Sequence, residues 1–149
     1  NEQGSCTATI VGSGPQDKDL RAKARDLGLA ANVRFAGALP ASEAFSLGRT
    51  MVVPSLAESF PYVVLEAAAA GMPLISTNVG GIPEIVADTD TRLIEPASAQ
   101  TLQAAMRECL DHPQAALARA ERLKRNVADK FTVARMTDAV LAFYELSDG

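Results

Sequence analysis

The sequence contains no tryptophan, one histidine and two cysteines, and it has no long apolar run. His112 stands just before Pro113 at a predicted helix end, so the chain cannot build a histidine-based nucleophile relay. No segment approaches the roughly 20 apolar residues of a membrane span, and the first five residues do not form a signal peptide. Cys6 and Cys109 lack metal-ligand spacing. We predict two free, buried thiols in a reducing cytoplasm, with a disulfide as the alternative.

Charge and length narrow the class of protein. The formal net charge of −4 argues against nucleic acid as a partner. With 149 residues, 48% of them hydrophobic, the chain can form one domain with a sizeable core. Basic residues concentrate between Arg107 and Arg135, but acidic residues interleave with them. This interleaving favours a solvated helical face over a membrane-binding patch.

Apolar strand-like runs alternate with helical segments along the chain. The predicted strands lie at residues 7–11, 32–35, 50–53, 74–76 and 91–94. The predicted helices lie at residues 16–27, 41–47, 59–70, 82–86, 98–110, 113–130 and 132–146. This alternation predicts an α/β fold with a doubly wound parallel sheet covered on both faces, followed by C-terminal helices over about 98–146.

Two glutamates, Glu58 and Glu66, form the most informative pair in the chain. Ser59 is the predicted N-cap of a helix with Pro61 in its first turn. That helix is apolar on nearly every side, so we predict that Glu66 is buried. Along the axis the glutamates would lie about 12 Å apart, with the free N–H groups of a helix N-terminus between them. A ligand with hydroxyls at both ends and a diphosphate between them, such as a sugar nucleotide, fits this arrangement.

An ordered set of motifs extends beyond the two glutamates. In chain order they are Val11 to Pro15, Val33 to Gly37, Pro54-Ser55, Glu58, Phe60, Glu66-Ala67, Gly71 to Pro73, Gly80-Gly81 and Glu84. Across roughly residues 7–96 the chain resembles the donor-binding half of retaining GT-B glycosyltransferases. That large family includes glycogen and sucrose synthases and mannosyltransferases.

The resemblance implies a fold and a domain organisation. Residues 1–149 would be the Rossmann-like C-terminal half of a GT-B enzyme, binding the nucleotide-sugar donor. In relatives this half opens with a further strand and helix that carry an Arg and a Lys for the diphosphate, and an N-terminal domain binds the acceptor. Neither precedes Thr7 in this chain. We therefore expect a fragment that is inactive alone, its central strand position filled by direct pairing, another chain or other residues.

The resemblance also assigns site residues. Glu66 would accept hydrogen bonds from the ribose hydroxyls, and Glu58, the expected catalytic residue, would meet the donor sugar. The other expected donor-binding residues are Ser59, Phe60, Pro61, Tyr62, Val63, Gly12, Gly14, Ala38, Leu39, Gly80 and Gly81. At Pro61 the chain departs from the family, which usually has glycine there. Because proline has no N–H group, Pro61 cannot make a contact that relatives make through that amide.

The implied reaction moves a sugar, with retention, from a UDP- or GDP-sugar to a hydroxyl acceptor. Its setting would be polysaccharide or glycolipid biosynthesis in the cytoplasm. A same-face attack assisted by the leaving diphosphate needs no enzymic nucleophile. We expect no cofactor and no metal, since the helix N-terminus and the absent basic residues would balance the diphosphate. A peripheral membrane contact through the absent acceptor domain stays open. Asp88-Thr89-Asp90 resembles a metal-binding motif of another glycosyltransferase fold, but its position favours a solvated loop.

Three other interpretations remain. A sugar-nucleotide 2-epimerase shares the architecture but needs acid–base groups, including a histidine in the cleft. A non-catalytic nucleotide-binding domain would not need both glutamates. A nicotinamide-binding domain is disfavoured because Asp17 replaces the third glycine of the motif that begins at Gly12.

Overall fold

The structure, a computed structural model, describes residues 6–135, 137–138 and 141. The chain divides into two compact units, Asn1–Arg49 and Thr50–Gly149. Each unit contains one pair of parallel strands. The predicted α/β class is therefore confirmed. The predicted helix at 132–146 lies partly outside the described residues, and residues 133–135 are helical.

The first unit is a βαβ element. Strand β1 (Ala8–Val11) pairs in parallel with β2 (Val33–Gly37), and helix α1 (Asp17–Asp26) connects them. Gly28 ends the helix with a φ of +69°, the left-handed conformation that favours glycine. After β2 come helix α2 (Ala41–Ala44) and a 3₁₀ turn, Phe45–Leu47.

The second unit repeats this connection and adds helices. Strand β3 (Met51–Val53) pairs in parallel with β4 (Leu74–Ser76), and helix α3 (Tyr62–Ala69) connects them. Three more helices follow, α4 (Ile82–Val86), α5 (Ala99–Asp111) and α6 (Pro113–Lys130). The core is formed by buried side chains of β3, α3, α4 and α6. These are Val53, Val64, Ala68, Ile82, Ile85, Val86, Leu123 and Val127.

A single sheet of five strands is not what the structure shows. The described strands form two parallel pairs, β1 with β2 and β3 with β4. One helix connects the two strands of each pair. The predicted strand 91–94 reduces to one bridge between Ile94 and Thr77. Ile94 makes both hydrogen bonds of this bridge: its N–H donates to the Ser76 carbonyl and its carbonyl accepts from the Asn78 N–H, each at 2.9 Å. Residues 91–93 form no strand.

The two cysteines are free, as predicted, but neither is buried. Cys6 is exposed, and Cys109 on α5 is partly exposed. Partial burial raises the pKa of the Cys109 thiol, so this thiol stays protonated at neutral pH. Among the described residues, no helix is both long and apolar enough to cross a membrane.

Candidate functional site

The loop between β3 and α3, residues 54–61 (the Glu58 loop), holds the carboxylate of Glu58 through two hydroxyl groups. Thr77, only 2% exposed, donates its hydroxyl hydrogen to the Ser55 carbonyl at 2.7 Å. The Ser55 hydroxyl donates in turn to Oε1 of Glu58 at 2.6 Å. A hydrogen bond of this kind to a charged group is short and strong, so it fixes the orientation of the carboxylate.

A glycine turn packs directly against the same loop. The Gly81 N–H donates to the Ser59 carbonyl at 2.8 Å. Gly80 has a φ of +53°, and a Cβ atom placed there would lie 1.8 Å from the Glu58 carbonyl oxygen. A Cβ atom on Gly81 would lie 2.7 Å from Cδ2 of Phe60. Only glycine allows this approach. The structure thus brings together five of the predicted site residues.

The N-cap of helix α3 lies two residues later than predicted. Its N-cap is Pro61, whose backbone is extended and whose carbonyl accepts from the Val64 N–H at 3.0 Å. Ser59 is not the N-cap. Its carbonyl accepts a hydrogen bond from the glycine turn, and Phe60, the residue before Pro61, is disfavoured in helical conformation. By helix geometry, the N–H groups of Tyr62 and Val63 point out of this N-terminus. Such a terminus is suited to an anion.

Glu66 is exposed, so the prediction of a buried carboxylate was wrong. Helix α3 buries a narrow stripe formed by Val64, Ala67 and Ala68, and Glu66 lies on the opposite side. Tyr62, 73% exposed, precedes it by four residues on the same face. Residues 58–61 all precede the helix and are not helical, so the predicted axial spacing of the two glutamates does not apply.

The predicted site residues of the first unit follow the carboxyl ends of its two strands. Gly12 ends β1 with a φ of +138°, and its N–H donates to the Gly37 carbonyl at 2.8 Å. Gly14 follows on one strand, and Ala38 with Leu39 follows on the other. Ligands of open α/β folds bind outside these strand ends. The position agrees with the predicted role of the four residues, which stays a prediction.

Two residues that hold Glu58 in place were not predicted as site residues. Ser55 and Thr77 carry the hydroxyl groups that fix the loop and its carboxylate. Both follow the carboxyl ends of neighbouring parallel strands, β3 and β4. Hydroxyl residues at such positions are the signal that would have identified them.

The aspartates of the Asp88 to Asp90 loop are paired with cations on α6. Asp88 accepts from Lys130, and Asp90 forms a two-point pair with Arg122 at 2.6 and 3.0 Å. The Lys130 hydrogen bond lowers the pKa of Asp88, and the Arg122 hydrogen bond lowers that of Asp90. Within residues 6–135, 137–138 and 141, no group of three His, Cys, Asp or Glu residues could hold a metal ion.

The Asp90–Arg122 pair predicts a small, pH-dependent contribution to stability. A carboxyl whose pKa is lowered by folding stabilises the protein above its unfolded pKa of about 3.9, and loses this contribution as pH falls through the folded value. At pH 7 the Asp90→Asn variant is therefore expected to unfold at a lower urea concentration than wild type. At a pH below the lowered pKa of Asp90, the two midpoints converge. An equal difference at both pH values would contradict this assignment.

Residues 1–130 match the sequence family described as glycosyl transferases group 1. The chain belongs to this family. It is 38% identical to a glycogen synthase of Mycobacterium tuberculosis over 90% of its length, and 31% identical to a 2-deoxystreptamine glucosyltransferase of Streptomyces kanamyceticus over 93%. It spans 34% and 37% of these two relatives, about a third of each.

A solved structure shares the fold of this group 1 glycosyltransferase chain. HepE of Anabaena, solved in complex with UDP, superposes with a TM-score of 0.83 at 24% sequence identity. The match covers 94% of this chain and 41% of HepE. The expected architecture, the Rossmann-like C-terminal half of a GT-B glycosyltransferase, is confirmed.

Proposed function

We propose that this chain binds the nucleotide-sugar donor of a retaining glycosyltransferase, which moves a sugar to a hydroxyl acceptor. One observation carries the proposal: the Glu58 loop is fixed against Gly80 and Gly81 directly before the open N-terminus of α3. Family membership supports glycosyl transfer. HepE, solved with UDP and with UDP-glucose, supports a nucleoside diphosphate sugar as the donor.

The helix N-terminus supplies the diphosphate site. The N–H groups of Tyr62 and Val63 donate to phosphate oxygens, and the helix dipole favours their negative charge. Pro61 donates nothing, but its extended backbone starts the helix at the point where these groups become free. Glu66, exposed on the same helix, accepts hydrogen bonds from the ribose hydroxyls. Tyr62 shares that face and borders the nucleotide.

Glu58 acts at the sugar end of the donor. The bond between the anomeric carbon and the diphosphate oxygen breaks, and the diphosphate leaves with the electron pair. The acceptor oxygen attacks the same face, and its proton passes to the departing phosphate oxygen. Positive charge develops at the sugar meanwhile, and a carboxylate already oriented by Ser55 stabilises that charge without reorganising.

This chain spans about a third of the length of the curated relatives that it matches. We infer that the acceptor domain, and the basic residues that complete the diphosphate site, belong to the rest of the protein. The chain alone would then bind the nucleotide but would not transfer the sugar. Polysaccharide or glycolipid assembly in the cytoplasm is the proposed setting, with a peripheral membrane contact through the acceptor domain.

The transferase is favoured over the epimerase by the position of the one histidine. His112 is exposed at the junction of α5 and α6, in neither the Glu58 loop nor helix α3. An epimerase would need a histidine in the cleft.

Glu66→Ala tests the nucleotide end of the site. Loss of a hydrogen bond to a charged acceptor costs about 1.5–3 kcal/mol, so the affinity for free UDP or GDP falls about tenfold to a hundredfold. Calorimetric titration of the full-length protein measures this change. Glu121→Ala, which removes an exposed glutamate from α6, is the matched control and leaves the affinity unchanged. Wild-type affinity in the Glu66 variant would show that Glu66 does not bind the ribose.

A further inference from the structure

The ring of Phe60 packs the Glu58 loop against the helical core. Phe60 lies two residues after Glu58 and is partly buried against the core. Its ring lies so close to Gly81 that a Cβ atom there would be 2.7 Å from Cδ2. On the helix side it meets Tyr62 edge to face, with centroids 6.0 Å apart. Movement of this ring would therefore move the loop and the glycine turn together.

A second aromatic ring, contributed from the far end of the sequence, contacts Phe60. Phe131 follows α6, and the two ring centroids lie 6.1 Å apart at an interplanar angle of 44°. Its backbone is held by the hydrogen bond from its N–H to the Val127 carbonyl at 2.9 Å. The residue before it, Lys130, pairs with Asp88, which follows α4. The end of α6 is thus anchored independently of the ring contact.

We propose that Phe131 is a positioning residue that holds the Glu58 loop in its active geometry through the ring of Phe60. The proposal rests on the proposed function, since it assigns to Phe131 an effect on sugar transfer. Removing the Phe131 ring leaves a space beside Phe60. The Phe60 ring then moves away from Gly81, and the Ser59 carbonyl that pairs with the Gly81 N–H moves with it. Glu58 is next in the chain and shifts relative to the donor sugar.

This role predicts a loss that is confined to turnover. The phosphate-binding N–H groups lie on α3, which is held by its own buried residues, so the nucleotide affinity does not depend on Phe131. A displacement of about 1 Å at a reacting group can cost on the order of a hundredfold in rate. Phe131→Ala is therefore expected to lower kcat by about tenfold to a hundredfold, with the Kd for UDP within about twofold of wild type.

The test compares four variants of the full-length protein, with donor turnover and UDP affinity measured for each. Phe131→Tyr keeps the ring and is expected to retain wild-type kcat, whereas Phe131→Leu keeps the apolar bulk alone and gives an intermediate value. Leu123→Ala, a buried change eight residues earlier on α6, reports what destabilisation alone does. It is expected to lower the unfolding temperature without lowering kcat.

The outcomes separate this inference from the function on which it rests. If wild type binds no nucleotide, the proposed function fails, and the positioning role of Phe131, which rests on it, fails as well. If wild type turns over and Phe131→Ala matches Leu123→Ala in kcat, the positioning role is overturned. A parallel loss of UDP affinity in Phe131→Ala would also overturn it. Should the alanine variant not fold, equal kcat values for the tyrosine and leucine variants would overturn the role, and a slower leucine variant supports it.

Discussion

Replacement of Glu58 by glutamine is expected to lower kcat for sugar transfer by about a hundredfold to a thousandfold. Glutamine has the same size, and its carbonyl oxygen can still accept the hydrogen bond from Ser55, so the loop keeps its shape. What is lost is the negative charge. A charge that acts on the positive sugar of the transition state contributes little to binding the ground state. Free nucleoside diphosphate therefore binds the variant almost as well as wild type.

Donor turnover and calorimetric nucleotide binding, measured on the same preparation, test this separation. Glu58→Gln and Glu66→Ala are expected to give opposite signatures, the first in kcat and the second in affinity for the free nucleotide. Their positions explain the difference: one precedes the helix N-terminus and the other lies on the exposed face of α3. Equal losses of nucleotide affinity would leave a nucleotide pocket with no distinct sugar end.

Gly80→Ala is expected to reduce turnover by at least about a hundredfold and to destabilise the second unit. The new Cβ atom would lie 1.8 Å from the Glu58 carbonyl oxygen and 2.6 Å from its carbonyl carbon. Both atoms belong to the backbone, so no side-chain rotation relieves the overlap, and the Glu58 loop must move. The left-handed φ of +53° adds strain of about 1–2 kcal/mol in any non-glycine residue.

Gly28→Ala separates the strain from the overlap. Gly28 has a φ of +69°, similar to that of Gly80, but a Cβ atom there has nothing within 4 Å. This control is expected to lose stability by a comparable strain energy and to keep wild-type turnover. Urea unfolding and donor turnover of both variants provide the comparison. If both glycine variants lose stability alone and retain turnover, close packing of Gly80 on the Glu58 loop has no part in the activity.

Local signals in the sequence predicted most elements of the fold. Alternation of apolar runs with helical segments predicted the parallel strands, and the bounds of α4 and α6 agree with the structure. The strand predicted at 91–94 failed because its apolar residues do not determine how far pairing extends. The structure pairs only Ile94 of this segment, with Thr77, and sequence periodicity does not show that limit.

Some predicted site residues lie together in the structure, as Glu58 does with Gly80, but the geometry of helix α3 differs from the prediction. Glu66 was expected to be buried because its neighbours are apolar, yet α3 buries only a stripe of small residues and leaves the carboxylate exposed. The start of α3 reflects the local restriction before Pro61 together with a contact between Ser59 and Gly81, which are distant in sequence, and local propensity does not encode that contact. The contact of Phe131 with Phe60 joins residues more than seventy positions apart, so it too needed the fold.

A crystal structure of the full-length protein with the nucleoside diphosphate that it binds is the most direct test of the proposed donor site. We predict that the diphosphate lies within hydrogen-bond distance, about 2.7–3.2 Å, of the N–H groups of Tyr62 or Val63. The ribose hydroxyls are expected to donate to the Glu66 carboxylate. A nucleotide bound away from the N-terminus of α3, or a ribose that does not reach Glu66, would contradict a donor site built on this helix.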